Sequence, residues 1–226
     1  MKFKKDRDGK DQDALGDLGD FIEKHFKKGV SKVSDLFKDN NPDDEVFSYL
    51  RTFMDDKSVA AISPSSKFVV KRAVKAMDLR TARVVVEFGA AEGVMTRGIL
   101  EKLHPQGTLL SIELNDRFYR VLSKMKDSRL KTHCGDVRDV DKILKLYGIG
   151  EVDVIVSGIP ISFLTGRGRH ELLTKVSNLL HPGGRFVVAP QYTTHLIPLL
   201  DDYFKSFKTE FEIRNFPPSF IFTAIK

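Results

Sequence analysis

Cysteine occurs once, at Cys134, which excludes an internal disulfide framework and a cysteine-rich metal site. The six histidines do not compensate, since His25, His104, His133, His170, His181 and His195 lie far apart without metal-like spacing. No metal is therefore expected. No apolar run approaches the ~20 residues that a membrane-spanning helix needs. After Met1-Lys2-Phe3-Lys4-Lys5-Asp6 the chain continues polar, so no secretory signal is expected, and the lone thiol fits a reducing interior.

What the chain does have is one domain's worth of core and an excess of positive charge. With 226 residues, 41% of them hydrophobic, it can bury one good core, and a second full domain would be crowded. The formal net charge of +6 favours anionic partners: nucleic acid, an anionic membrane face or a phosphorylated substrate. Charge does not choose among them.

Composition shifts along the chain. Residues 1–20 carry Lys, Asp and Gly with almost no apolar content and are expected to be disordered. Residues 21–57 read as amphipathic helices. In the first, Phe21, Ile22, Phe26, Val30, Val33, Leu36 and Phe37 recur at helical spacing while lysines fill much of the rest. The second, from Asp44 to about Lys57, carries Val46, Phe47, Leu50, Phe53 and Met54. Residues 58–226 form the main domain. Ser63-Pro64-Ser65-Ser66 reads as a turn and N-cap for a helix through Met77.

After Arg80, strands and helices alternate, which predicts an α/β fold with a parallel sheet. Strands are predicted at Val84–Phe88, Thr108–Glu113, Leu130–Cys134, Val152–Val156 and Arg185–Ala189, with Thr209–Asn215 and Phe220–Ile225 as an antiparallel hairpin at the edge. Helices are predicted at Val94–Leu103, Asp116–Lys126, Val140–Leu146, Arg169–Leu180 and near His195–Phe207, and Leu180 to Arg185 reads as a tight turn feeding a buried strand.

Chemistry concentrates in Val84-Val85-Val86-Glu87-Phe88-Gly89-Ala90-Ala91-Glu92-Gly93. An apolar run ends in a carboxylate and small residues, then opens a helix: a buried parallel strand turning over a ligand. Gly89 and Gly93 let the backbone approach something bulky. The turn is not Gly-x-Gly-x-x-Gly, and it lacks a Lys followed by Ser or Thr, so it matches neither a dinucleotide nor a triphosphate loop. Ligands of a doubly wound sheet sit beyond the carboxyl ends of the strands. Three acids fall at such ends: Glu87, Glu113 and Asp136. Glu113 can accept both ribose hydroxyls and Asp136 an exocyclic adenine amine, which together read an adenosine. Without a pyrophosphate to hold, the acidic Glu87 suits a cofactor carrying an ammonium and a sulfonium. S-adenosyl-L-methionine has both.

Here the chain resembles the class I S-adenosylmethionine-dependent methyltransferases over roughly Phe47 to Lys226. Glu87-Phe88-Gly89-Ala90-Ala91-Glu92-Gly93 is similar to that family's Glu-x-Gly-x-Gly-x-Gly, with Ala91 at the middle glycine. The resemblance implies a Rossmann-like fold: a seven-stranded, mostly parallel sheet with an antiparallel C-terminal strand, plus N-terminal helices. Three further segments resemble bacterial phospholipid N-methyltransferases: Ala61-Ile62-Ser63-Pro64-Ser65-Ser66-Lys67-Phe68, Val156-Ser157-Gly158-Ile159-Pro160 and Arg214-Asn215-Phe216-Pro217-Pro218-Ser219. Those enzymes methylate phosphatidylethanolamine toward phosphatidylcholine. The competing resemblance is to ribosomal RNA adenine dimethylases, whose Asn-(Leu/Ile)-Pro-(Tyr/Phe) offers an amide and a stacking ring to a flipped base. Gly158-Ile159-Pro160-Ile161 has neither, so a nucleic-acid partner is not expected, and an RNA adenine or a small soluble amine stays as the alternative substrate.

The expected cofactor site comprises Glu87, Gly89, Ala91 and Gly93 at the turn, and Glu113 with Leu114 beyond the second strand. Gly135, Asp136 and Val137 follow the third, with Ser157, Ser65 and Ser66 completing it. The catalytic residues expected are Ser157 and Gly158, whose carbonyls can orient an amine, with Tyr192 or His195 relaying its proton. For the substrate, Lys67, Arg167, Arg169 and Arg214 are candidates for a lipid phosphate, and Phe163 and Tyr192 for the face of a quaternary product. Phe220 falls in a segment expected to face the site.

The basic helix Phe21–Phe37 can lie in the headgroup layer with its phenylalanines inserted, each Lys contributing about 1 kcal/mol at an anionic surface. This places the protein in the cytoplasm, peripheral at the inner face of the cytoplasmic membrane, with an anionic membrane surface and a phospholipid as partners. Deleting residues 1–38 is expected to reduce co-sedimentation with anionic vesicles while cofactor affinity, read by calorimetry, stays unchanged. Equal vesicle binding by the shortened chain would remove the membrane-helix reading.

Overall fold

The computed structural model describes residues 2–3, 65–159, 161, 164, 166–191, 196–215 and 218–226. The predicted helices within 21–57 lie outside these residues. Along the described chain run β1 (Lys2–Phe3), α1 (Lys67–Met77), β2 (Val84–Phe88), α2 (Val94–Leu100), β3 (Thr108–Glu113) and α3 (Asp116–Leu122). There follow β4 (Leu130–Cys134), a short 3-10 turn (Val137–Asp139), α4 (Val140–Leu146), β5 (Val152–Ser157) and α5 (Gly166–Leu179). The chain ends with β6 (Leu180–Gln191), α6 (Leu196–Tyr203), β7 (Ser206–Glu212) and β8 (Ser219–Ile225).

These strands form one eight-stranded sheet in the order β1-β7-β8-β6-β5-β2-β3-β4. Pairs β6–β5, β5–β2, β2–β3 and β3–β4 are parallel, whereas β8 lies antiparallel to β6 and to β7. The seven expected strands are all present, and the two-residue β1 adds an antiparallel edge against β7. From β2 the chain winds outward through β3 to β4, then returns across β2 to β5. The switch point of the sheet therefore lies between β2 and β5, where successive loops diverge and leave a crevice.

Side-chain alternation builds two cores on this sheet. Val86, Phe88, Leu110, Ile112, Ile155, Phe186 and Val188 face α4, α5 and α6. Val85, Leu109, Val154, Val156, Val187 and Ile221 face α1 and α2. Burial on both faces explains the unbroken Val and Ile runs of β2 and β5, which a strand wetted on one face does not show. Among the described residues no helix is long and apolar enough to cross a membrane.

The structure redraws several boundaries. Helix α2 closes at Leu100, α3 at Leu122 and α6 at Tyr203, each shorter than its apolar spacing suggests. Lys102 N–H to the Ile99 carbonyl and Met125 N–H to the Leu122 carbonyl are single-turn bonds that tighten the chain where burial ends. Phe207 belongs to β7, not to the preceding helix. The segment from Leu180 to Arg185 opens β6 and still turns: against β5 the pairing jumps from Val152–Leu180 to Val154–Arg185, so three extra residues loop out, with Gly183 at φ +86°. Lys226 secures it by accepting from Gly183 N–H and donating to the Gly184 carbonyl, both at 3.0 Å.

Ile155 lies on the central strand of the sheet, sealed from solvent. Ile155→Ala is expected to destabilise the fold by about 2–5 kcal/mol with an unchanged denaturant slope. A urea titration showing less than about 1 kcal/mol would mean that this core collapses around the deletion.

Candidate active site

Strand direction brings the candidate residues to one end. The parallel strands β2, β3, β4 and β5 end at Phe88, Glu113, Cys134 and Ser157, and β6 ends beside them at Gln191. Because β8 runs antiparallel to β6, with Gln191 opposite Phe220, the β7–β8 turn lies at this same end. So does the start of α1, through the bond from Ser66 N–H to Asn215 Oδ1 at 3.0 Å.

Glu87 sits at the centre, 1% exposed. Thr96 Oγ1 and Ser111 Oγ donate to its Oε2 at 2.7 and 2.6 Å. Its Oε1 is buried with no hydrogen-bond partner among the described residues. Burial pushes this carboxyl up to about 7, against the two hydroxyl donors and with a smaller push from Glu113. An orphaned acceptor of this kind costs about 1–3 kcal/mol until a donor or a cation reaches it.

Beside it the loop from Gly89 to Gly93 turns tightly. Gly89 and Gly93 have φ of +71° and +77°, and Ala91, at φ +46°, also takes the left-handed conformation that disfavours a side chain. Ala91 N–H donates to Glu113 Oε2 at 2.7 Å, and Asn115 N–H to Glu113 Oε1 at 2.8 Å. That pair of bonds explains how an alanine stands at the middle position: Glu113, also 1% exposed, clamps it from the next strand. Leu114 N–H is a third backbone donor to this carboxylate, which leaves one acceptor position for a ligand hydroxyl. Burial raises the Glu113 carboxyl, and these backbone donors oppose the rise.

At the third strand end the structure gives a different picture. Asp136 N-caps the 3-10 turn, accepting from Arg138 N–H at 2.8 Å and from Arg138 Nε at 2.9 Å, and it pairs with the same guanidinium at 2.8 Å. The expected reader of an adenine amine is thus engaged by Arg138, a partner that strand-end counting does not reveal. Gly135 leaves room for the His133 ring, which lies 2.8 Å from where a Cβ would stand. Val137 is buried in the core and Leu114 packs against it.

The loop after β5 meets the glycine turn directly. Gly158 N–H donates to the Phe88 carbonyl at 2.8 Å, and a Cβ on Gly158 would come within 2.9 Å of the Gly89 carbonyl. Ser157 Oγ accepts from Ile159 N–H at 3.2 Å and donates to the Ile159 carbonyl at 3.3 Å, so the hydroxyl shapes its own loop. Gln191 completes the cluster. It is wholly buried, and Nε2 donates to the carbonyls of Ile159 and Pro190 at 3.1 and 2.9 Å. Gln191 escaped the sequence reading, because a single amide at a strand end has no spacing signature.

Of the expected substrate residues, Lys67 and Arg214 come together. Arg214 lies 4.1 Å from the Phe68 ring centroid and Lys67 Nζ 5.4 Å from it, placing both cations on one aromatic ring. Arg214 also bonds Glu212 through Nε at 2.7 Å, and Arg72 Nε reaches the same carboxylate at 2.5 Å. Arg214, with Arg72 behind it, holds the Glu212 carboxyl down to about 2. Ser66 caps α1 through Val69 N–H and ties Asn215, so its polar groups are spent on structure; Ser65 precedes it, half-buried. Arg167 stands apart on α5, exposed and paired with Glu171 at 2.9 Å, and Arg169 Nε is buried without a partner. Phe220 belongs to the core, 5.0 Å from Phe211. Phe163, Tyr192 and His195 lie outside the described residues.

No family model matches the chain. It is 31% identical to the ornithine lipid N-methyltransferase of Singulisphaera acidiphila over 173 residues, 74% of this chain and 88% of that protein. Among solved structures it is similar to the O-methyltransferase of Bacillus cereus in complex with S-adenosylhomocysteine, with TM-score 0.62 and 14% identity over 86% of this chain and 95% of that one. The O-methyltransferase TomG of Streptomyces achromogenes, in complex with S-adenosylmethionine, gives TM-score 0.60 and 18% identity over 88% and 95%. The 1,6-didemethyltoxoflavin N1-methyltransferase of Burkholderia thailandensis gives 0.61 and 16% over 84% and 92%. At such identities the solved structures establish the fold.

The buried Glu87 makes stability depend on pH. Its unfolded value is about 4.5 and its folded value about 7, so the unfolded chain releases this proton first as pH rises. Glu87 thus contributes no penalty below about pH 4.5 and destabilises increasingly up to pH 7, by about 3 kcal/mol in all. Glu87→Gln is expected to be more stable than the parent at pH 8, the gap closing near pH 5. Urea unfolding that finds the same gap at both pH values would refute the buried-carboxyl assignment.

Proposed function

We propose that this chain, which belongs to the class I S-adenosylmethionine-dependent methyltransferases and to the family of the ornithine lipid N-methyltransferase, transfers methyl groups to the amine of a lipid headgroup. The carrying observation is the Ser66–Asn215 bond. It joins segments 149 residues apart and sets Lys67, Phe68 and Arg214 at the rim of the site. The two cations suit the anionic group of a zwitterionic lipid, whose amine then points inward. The half-buried Phe68 ring between them suits the start of the acyl region.

The residues present fit the cofactor. The orphaned Oε1 of Glu87 calls for a cationic neighbour, the glycine turn leaves backbone uncovered, and Glu113 keeps acceptor capacity for a hydroxyl. Glu87 would hold the ammonium side and Glu113 the ribose. Bound there, S-adenosylmethionine supplies an electrophilic methyl on a sulfonium. The chain's own task is the acceptor. A primary amine with a pKa near 10 is mostly protonated at neutral pH, and freeing its lone pair costs on the order of 4 kcal/mol. Withdrawal from water beside a cation lowers that pKa. The bare backbone at Gly158, pressed against the Gly89 carbonyl, lets the amine approach the cofactor turn without a side chain between them.

Two headgroups share the required chemistry. Phosphatidylethanolamine, the substrate of the phospholipid N-methyltransferases that Ala61–Phe68, Val156–Pro160 and Arg214–Ser219 resemble, offers an amine and a phosphate. An ornithine lipid offers an amine and a carboxylate, and the 31% identical relative favours it. The basic segment Phe21–Phe37 brings the site to the bilayer in this proposal. The test is incubation of the full chain with methyl-labelled S-adenosylmethionine and anionic vesicles holding either lipid, followed by chromatography. Label in phosphatidylethanolamine is expected. Label only in ornithine lipid keeps the lipid-amine function and changes the headgroup, while label in added RNA alone overturns the proposal.

A further inference from the structure

Gln191 is a buried polar side chain with one end unsatisfied. Its Nε2 is fixed by the carbonyls of Ile159 and Pro190 at 3.1 and 2.9 Å. Those bonds settle the amide's orientation, since only the NH2 end can donate. The planar group then turns Oε1 away from both carbonyls, and Oε1 is buried with no hydrogen-bond partner among the described residues. A buried acceptor left so is costly, a reason for selection to remove it unless a ligand completes it.

Its position says which ligand. Gln191 ends β6, on the acceptor side of the switch point, with the acids that suit the cofactor on β2 and β3. It bonds Ile159, Ile159 bonds Ser157 Oγ, and the intervening Gly158 abuts Gly89. One continuous chain of contacts thus links the Gln191 amide to the cofactor turn. Ser157 Oγ is occupied at both its donor and an acceptor position within its own loop. Gln191 Oε1, by contrast, is a buried acceptor with no hydrogen bond among the described residues.

Resting on the lipid-amine reading, we propose that Gln191 Oε1 accepts an N–H of the neutral headgroup amine and so turns its lone pair toward the methyl group. In the transfer that lone pair forms the new N–C bond while the S–C bond breaks and its electrons return to sulfur. The nitrogen becomes cationic and releases an N–H proton to solvent before the next round. This assignment carries an internal control. A neutral primary amine has two N–H groups, its monomethyl form one and its dimethyl form none. Gln191 therefore assists the first transfer and the second, and contributes nothing to the third.

The experiment compares Gln191→Met with the parent on vesicles holding unmethylated, monomethylated or dimethylated ethanolamine phospholipid, or the matching ornithine lipids. The expected result is a drop of about 10- to 100-fold in kcat for the unmethylated headgroup, a smaller drop for the monomethylated one and no change for the dimethylated one. Calorimetric affinity for S-adenosylhomocysteine stays within about twofold of the parent's, since Gln191 lies off the cofactor strands. An equal loss for every headgroup the parent accepts would overturn the assignment and leave Gln191 a packing residue. If the parent accepts one headgroup only, or Gln191→Met does not fold, Gln191→Asn decides: partial activity with a raised KM supports the acceptor role, and parental kinetics overturn it. A parent inactive on every lipid amine would sink the lipid reading itself and this assignment with it.

Discussion

A carboxylate buried at the middle of an apolar sheet constrains everything around it. Glu87 lies between valine-rich strands with one oxygen bonded twice and the other not at all. Such a group is tolerated where a ligand restores what burial removes, and it sets the polarity of the whole site. The hydroxyls of Thr96 and Ser111 must come from α2 and β3, so helix and strand are pinned to β2 at this level. The raised proton affinity follows from the same burial. A cation arriving beside Oε1 favours the ionised form, and cofactor and carboxylate then stabilise each other.

From that centre the sheet divides its labour. On one side, β2 and β3 offer acceptors and exposed backbone through Glu113 and the turn it clamps. On the other, β5, β6 and the β7–β8 turn offer Gly158, Gln191 and the Lys67–Arg214 rim. The halves touch at Gly158 and Gly89, where a side chain would clash with backbone. A displacement reaction needs donor and acceptor at van der Waals distance with nothing between, and a glycine at that junction provides it.

Much of this was legible because periodicity and burial act locally. The Val and Ile runs of β2 and β5 announced strands covered on both faces, and Ser66 announced a helix cap that the structure places where expected. Glu87 and Glu113 at strand ends likewise follow from strand counting. What stayed hidden depends on partners remote in sequence. Asn215 takes the Ser66 amide from 149 residues away, and Gln191 reaches back to Ile159, 32 residues earlier. Arg138 is a near neighbour of Asp136, yet counting strand ends does not register their contact. The turn before Arg185 was legible in Pro182 and Gly183, but that β6 begins already at Leu180 was not, since it depends on the ladder to β5 and on Lys226.

Charge at the rim argues for a lipid over a loose small amine. Arg72 and Arg214 converge on Glu212, Arg72 also meets Glu210, and Lys67 adds a positive charge beside Phe68. The low proton affinity of Glu212 shows how firmly the carboxylate is held, so the cluster keeps its geometry at any physiological pH. A soluble amine needs no fixed cationic rim outside its pocket, because no anionic group trails behind it. A lipid headgroup does carry one, at a few bonds from the nitrogen, and then a hydrophobic tail that stays in the bilayer. The proposed reading joins these into one path, with the amine threaded inward toward Gln191, the anion held at Arg214 and the chains left outside.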